Sequence, residues 1–173
     1  FGDPQGGFYM TSEAASGDLI ARPKDLNDGA MPSGNSAAIL DLVMLETIRR
    51  DGKYGAYAER ELKFLSEQLS QSPAAFAYAL VAADFWFGPR SEIVIAGDGS
   101  DPAAVAMQRE VYLRFIPNKV LLHHPGGSMG ELIEMLVPWI HEQPAVPGKV
   151  TGYICRDGAC QLPASEPGSF SRQ

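Results

Sequence analysis

Apolar residues recur at helical spacing through the first half of the chain and give way to short β-branched runs in the second. The stretch Ala37 to Arg50 is apolar on most of its circumference, which predicts a helix that is buried rather than merely amphipathic, with Ser36 as its N-cap. Asp51-Gly52 closes it, and Arg49 and Arg50 fall in the last turn, where cations suit the helix dipole. From about Tyr54 to Leu69, the residues Tyr54, Tyr57, Ala58, Leu62, Leu65 and Leu69 lie near one face. Glu59, Arg60, Lys63 and Glu67 cover the other, so this helix belongs on the surface. Ser72-Pro73 offers a cap and a first-turn proline to a third helix, which runs to about Phe87 before Gly88-Pro89 stops it. Connections of a few residues make the three helices antiparallel neighbours, and no sequence repeat relates them.

After Pro89 the period changes. Glu92 to Ala96 and Lys119 to His123 read as strands, with a helix from Pro102 to about Arg114 between them, capped by Asp101. Strand, helix, strand within about thirty residues is a βαβ unit, so the two strands are expected to be parallel with a right-handed crossover. A further helix from about Met129 to His141 opens on Ser128-Met129-Gly130-Glu131, a capping box in spacing. Val150 to Gln161 reads as a hairpin around Asp157-Gly158. The expected fold class is therefore mixed: an all-α half of antiparallel hairpins at 1–88, and an α/β half of order β-α-β-α-β-β at 89–173, with a cysteine-bearing hairpin.

Composition narrows the function classes. Of 173 residues, 45% are hydrophobic and 20% charged, a globular balance. Fourteen Lys and Arg against 21 Asp and Glu give −7, the wrong sign for neutralising phosphates, so no nucleic-acid partner is expected. No apolar run approaches the roughly 20 residues that cross a bilayer, so no membrane partner is expected either. The opening FGDPQGGFYM has neither a basic region nor an apolar core, and the chain is expected to be a piece of a longer protein. Two cysteines suit a cytoplasmic protein at least as well as a secreted one. No cofactor is implied.

Three places carry candidate chemistry. If Asp157-Gly158 forms a two-residue type I′ turn, Cys155 and Cys160 face each other as a non-hydrogen-bonded pair with Cα atoms about 4.5 Å apart, within reach of a disulfide. Cross-strand bonds of this sort are readily reduced. The pair reads as structural, as redox-labile, or as half a metal site; two thiolates leave zinc two ligands short, and no metal is expected. His123-His124 ends a strand just before Pro125-Gly126-Gly127, where ligand-facing loops of open α/β sheets lie; only one of the two can enter a given pocket. Gly97-Asp98-Gly99 stops short of a phosphate loop, and Asp98 and Asp101 would repel a phosphate there.

The third place is the polar loop from Arg22-Pro23-Lys24-Asp25 through Asp28-Gly29-Ala30-Met31-Pro32-Ser33-Gly34-Asn35-Ser36. It runs into the start of the most apolar helix, where Asn, Ser and backbone N–H groups can hold a hydroxylated or anionic ligand. The same groups equally describe an elaborate cap, in which Asp28, Ser33 and Asn35 satisfy backbone groups around a turn.

Taken in order, Gly6-Gly7-Phe8-Tyr9, Arg22-Pro23-Lys24-Asp25, the Asp28 to Ser36 string, Glu92 to Gly97, and Tyr153-Ile154-Cys155 with Ala159-Cys160-Gln161 resemble the C-terminal region of a thioredoxin-domain-containing family. That family includes the bacterial YyaL and the animal spermatogenesis-associated thioredoxin-like proteins. The resemblance spans nearly the whole chain. It implies an N-terminal thioredoxin-like domain elsewhere in the protein and an (α/α)6 toroid related to six-hairpin glycosidases and N-acylglucosamine 2-epimerases. The three helices would be closing hairpins of that toroid. A small carbohydrate of the N-acyl hexosamine kind is then the implied ligand, with Asp28, Ser33, Asn35, Arg22 and His124 as candidate contacts and no catalytic step assigned. The alternative is a redox-linked or purely structural module serving the attached thioredoxin-like domain, with Cys155 and Cys160 as the redox candidates.

Overall fold

Ser33, not Ser36, caps the first helix, α1 (Gly34–Arg49). The Ser33 hydroxyl accepts the backbone N–H of Ser36 at 3.1 Å, the bond an N-cap makes to the third helical residue. Gly34 and Asn35 read as loop residues, yet with Ser33 in an extended conformation before them they form the first turn. The helix buries a stripe of Asn35, Ser36, Ile39, Val43 and Thr47 and leaves Leu45 exposed, so the expectation of burial all round is corrected to one buried face. Arg50 ends it in the left-handed conformation, φ 53°, its N–H returning to the carbonyl of Glu46.

The computed structural model describes residues 1–15, 17 and 19–170. Within them two units separate, Phe1–Glu46 with Arg50–Gly88, and Thr47–Arg49 with 89–170.

In the first unit, α2 (Lys53–Gln71) buries Gly55, Ala58, Leu62 and Leu65, while Tyr57 is exposed rather than facing the core. Its buried set also holds Glu61, a charge the helical pattern does not reveal. The third helix, α3 (Ala77–Phe87), starts later than Ser72-Pro73 predicts. Pro73–Phe76 forms a 3-10 turn, and the Ser72 side chain makes no capping bond. Phe76, Ala79, Ala82 and Phe85 are buried beside the α2 residues, each large apolar side chain adding roughly 1.5–3 kcal/mol.

The second unit is built on a four-stranded sheet of order β2-β1-β3-β4. Its elements are β1 (Ser91–Ala96), α4 (Pro102–Tyr112), β2 (Lys119–His124), α5 (Gly127–Leu136), β3 (Thr151–Arg156), β4 (Ala159–Cys160) and α6 (Pro167–Phe170). β1 pairs in parallel with β2 and antiparallel with β3, and all six of its residues are buried, as befits a central strand. On one face Ile93, Ile95 and Ile154 pack with Ala104, Met107 and Val111 of α4. On the other, Val94 packs with Val137 and Ile140. Asp101 caps α4 by accepting the N–H of Ala103 at 2.8 Å.

The helix expected over Met129 to His141 is shorter and differently begun. Gly126 takes the N-cap position, Ser128 lies inside the first turn, and no capping box forms. Proline at 138 has no N–H to continue the ladder, so α5 stops at Leu136 and Pro138–Glu142 forms a 3-10 turn. Among the described residues, no helix is long and apolar enough to cross a membrane.

Candidate functional site

Asp157 and Gly158 both take positive φ, 49° and 82°, which gives the hairpin the turn that matches strand twist. Cys155 therefore falls opposite Cys160 in the register, and the two sulfurs are bonded, with Cα atoms 3.9 Å apart. The two cysteines are not equivalent. Cys155 is 1% exposed, whereas Cys160 lies on a short, exposed strand. Gln143, itself buried, donates its side-chain N–H to the sulfur of Cys155 at 3.3 Å and to that of Cys160 at 3.7 Å. Its Oε1 is buried without a hydrogen-bond partner. As a disulfide the pair offers no thiolate to a metal, and among the described residues no group of three or more His, Cys, Asp and Glu is gathered to hold one.

The backbone carbonyl of Gln143 leads to a second cluster. His124 is buried, and its Nδ1 lies 3.0 Å from that carbonyl, which can only accept; Nδ1 therefore carries a proton. Its Nε2 lies 2.9 Å from Oε1 of Glu134. His141, which is exposed, donates from Nδ1 to the other Glu134 oxygen at 2.8 Å. The hydrogen bonds from His141 and then His124 outweigh burial and hold the Glu134 carboxyl below its ordinary value. These side chains line a cavity of about 420 Å³ with Gly126, Gly130 and Pro144. Gly130 is required there: a Cβ would sit 2.2 Å from the carbonyl oxygen of Pro125. His123, on the opposite face of the strand, turns to the carbonyl of Gly97 at 2.8 Å.

The polar loop of the helical unit brings Asp28, Ser33 and Asn35 together, and their polar atoms are spent on the protein itself. Oδ1 of Asp28 accepts the N–H of Ser33 at 2.8 Å, and Oδ2 accepts those of Tyr78 and Ala79 at 2.7 and 3.2 Å. Burial alone would push this carboxyl up, but the bonds from Ser33, Ser36, Tyr78 and Ala79 prevail and hold it below the usual value. Asn35 accepts from the N–H of Phe8 at 2.6 Å and donates to the carbonyls of Phe8 and Asp25 at 3.0 and 2.7 Å. Arg22 donates to the carbonyl of Thr11 and stacks its guanidinium 4.0 Å from the Tyr9 ring centre. The unforeseen member of this unit is Glu61, which accepts the N–H of Gly7 and pairs with the Arg60 guanidinium. Gly7 is the residue for that approach, with φ +80° and the Phe64 ring and Lys24 side chain crowding the place of a Cβ.

Sequence reasoning reached Cys155, Cys160 and His124 and missed Gln143, Glu134 and His141. The last two lie seven positions apart on separate elements, and no local spacing marks them as partners.

A helical unit and an α/β unit carrying a cross-strand disulfide define the class. Over 96% of its length the chain is similar to spermatogenesis-associated protein 20 of Mus musculus, at 32% identity over 168 residues. It matches the Homo sapiens protein of the same name equally, at 32% over 168 residues. These relatives bear the spermatogenesis-associated name toward which the motifs point. The chain spans about a fifth of their length, 21% in each case. No family model matches the chain, and no solved structure matches it.

Proposed function

We propose that this chain is a segment from the C-terminal region of a longer thioredoxin-domain-containing protein and that its α/β unit takes part in thiol–disulfide exchange. The observation that carries this reading is the asymmetric Cys155–Cys160 disulfide, buried at one cysteine and exposed at the other. An accessible disulfide sulfur is open to attack by a thiolate, and a dithiol partner completes the exchange when its second thiolate attacks its own sulfur in the mixed disulfide and expels the cysteine thiolate. The thioredoxin-like domain that the resemblance implies is a dithiol of that class within the same longer chain. The helical unit then closes an α/α toroid.

The carbohydrate reading starts from the same toroid and from Asp28, Ser33, Asn35 and Arg22. Those side chains already bond to the loop and to the starts of the helices, which leaves them less to offer an N-acyl hexosamine than an unpartnered set would. Exchange is therefore the preferred function.

Mass spectrometry of the chain, equilibrated over a graded glutathione potential and then alkylated, tests it. The expected result is a dithiol fraction that rises across the cytosolic range. A disulfide that stays closed throughout that range overturns the reading.

A further inference from the structure

Resting on the exchange reading, we propose that Gln143 gives the disulfide a direction: it makes Cys155 the leaving sulfur and Cys160 the attacked one. Three observations meet at this residue. Cys160 is exposed and Cys155 is not, so an incoming thiolate reaches Cys160. The Gln143 amide N–H is closer to Cys155, at 3.3 Å against 3.7 Å for Cys160. And the residue is fixed from behind, its backbone carbonyl held by His124, whose other nitrogen is held by Glu134.

The chemistry asks for such a group. An external thiolate attacks Cys160 Sγ, the new sulfur–sulfur bond forms as the Cys155–Cys160 bond breaks, and the bonding electron pair leaves on Cys155 Sγ. That sulfur becomes a buried thiolate, which is costly without a donor; the Gln143 N–H supplies one where the charge appears. The second thiolate of a dithiol partner then attacks the partner's own sulfur in this mixed disulfide, and the bonding pair leaves on Cys160 Sγ. The partner is oxidised to its disulfide, and the two cysteines take up protons as thiols.

The orphaned Oε1 of Gln143 belongs to the same cycle. A disulfide has no hydrogen to give it, so in the oxidised protein this buried acceptor goes unused. A protonated Cys155 does have one, and a half-turn of the carboxamide brings Oε1 to it. A carboxamide both donates and accepts, so a single side chain serves thiolate and thiol in turn. His124 acts through Gln143 and is a positioning residue.

The test uses the 173-residue chain with reduced glutathione as the attacking thiol, read by mass spectrometry after acid quench and alkylation. In the native chain the glutathione adduct is expected on Cys160, with Cys155 alkylated. Gln143→Leu is expected to be cleaved about tenfold more slowly, the scale of one hydrogen bond to a charged group. In a Cys160→Ser background, the same substitution is expected to raise the pH at which the Cys155 thiolate absorbs in the ultraviolet. An adduct on Cys155, or equal cleavage rates in the native and Gln143→Leu chains, overturns the role of Gln143 while exchange itself stands. A native chain that glutathione never cleaves overturns the exchange reading instead. If Gln143→Leu lacks a native circular dichroism spectrum, Gln143→Met carries the rate comparison. The position of the adduct in the native chain decides the direction with no substitution at all.

Discussion

The carboxylate of Asp28 accepts the backbone N–H of Tyr78 at 2.7 Å, fifty residues further along the chain. Its second oxygen accepts the N–H of Ser33, the cap of α1. One side chain thus satisfies the opening amides of α3 and steadies the start of α1, and Ser72 is left without a capping role. Asp28→Ala strips three amides of their acceptor and is expected to lower stability by about 2–3 kcal/mol, read from a denaturant titration. An unchanged midpoint would show the bonds to be incidental.

Acid sharpens the same point. The Asp28 carboxyl ionises below its ordinary value of 3.8 in the folded chain, so its contribution is fully present above that value and is lost as pH falls through the lower folded one. The stability gap between the native chain and Asp28→Ala is therefore expected to be constant near neutrality and to shrink below about pH 4. A gap that widens on acidification contradicts the assignment.

Glu61 is 1% exposed yet ionisable, and its partners are the Gly7 N–H and Arg60. Glu61→Ala leaves a backbone donor unpaired and a guanidinium without its counter-ion. A loss of roughly 2–4 kcal/mol is expected by thermal melting, with the Gly6-Gly7 turn loosening first in amide exchange. Protection at Gly7 equal to that of the native chain would refute the contact.

How much of this was readable beforehand depends on the distance between partners. The Asp157-Gly158 turn puts Cys155 opposite Cys160 by local rules alone, and Asp101 caps α4 through a bond two residues long. The Asp28 contacts join residues about fifty positions apart, and nothing in the loop's composition distinguishes a tertiary cap from a ligand site. Glu61 sits one position from Arg60 and beside exposed charges, so the helical pattern hides its burial. Pro138 was legible as a helix stop, but the periodicity of Leu132, Ile133 and Leu136 runs up to it and the Trp139-Ile140 pair carries the apolar pattern past it.

Opening the disulfide should leave the fold intact. Cys155 and Cys160 are five positions apart, and closing so short a loop contributes only about 2 kcal/mol on chain-entropy grounds. The Cys155→Ala, Cys160→Ala double variant is expected to melt a few degrees lower with the far-ultraviolet spectrum unchanged. Collapse of that spectrum would mark the bond as a structural staple and weigh against exchange.

The strand order bears on self-association. β4 is two residues long, so that border of the sheet gives an extraneous strand almost nothing to hydrogen-bond with. β2 forms the other border with six residues, from Lys119 to His124. Its Lys119 places a cation at the start of that border, a usual deterrent to edge-to-edge polymerisation. Any fibrillar growth of this unit by strand addition would therefore recruit along β2, and neutralising Lys119 would be the change that invites it.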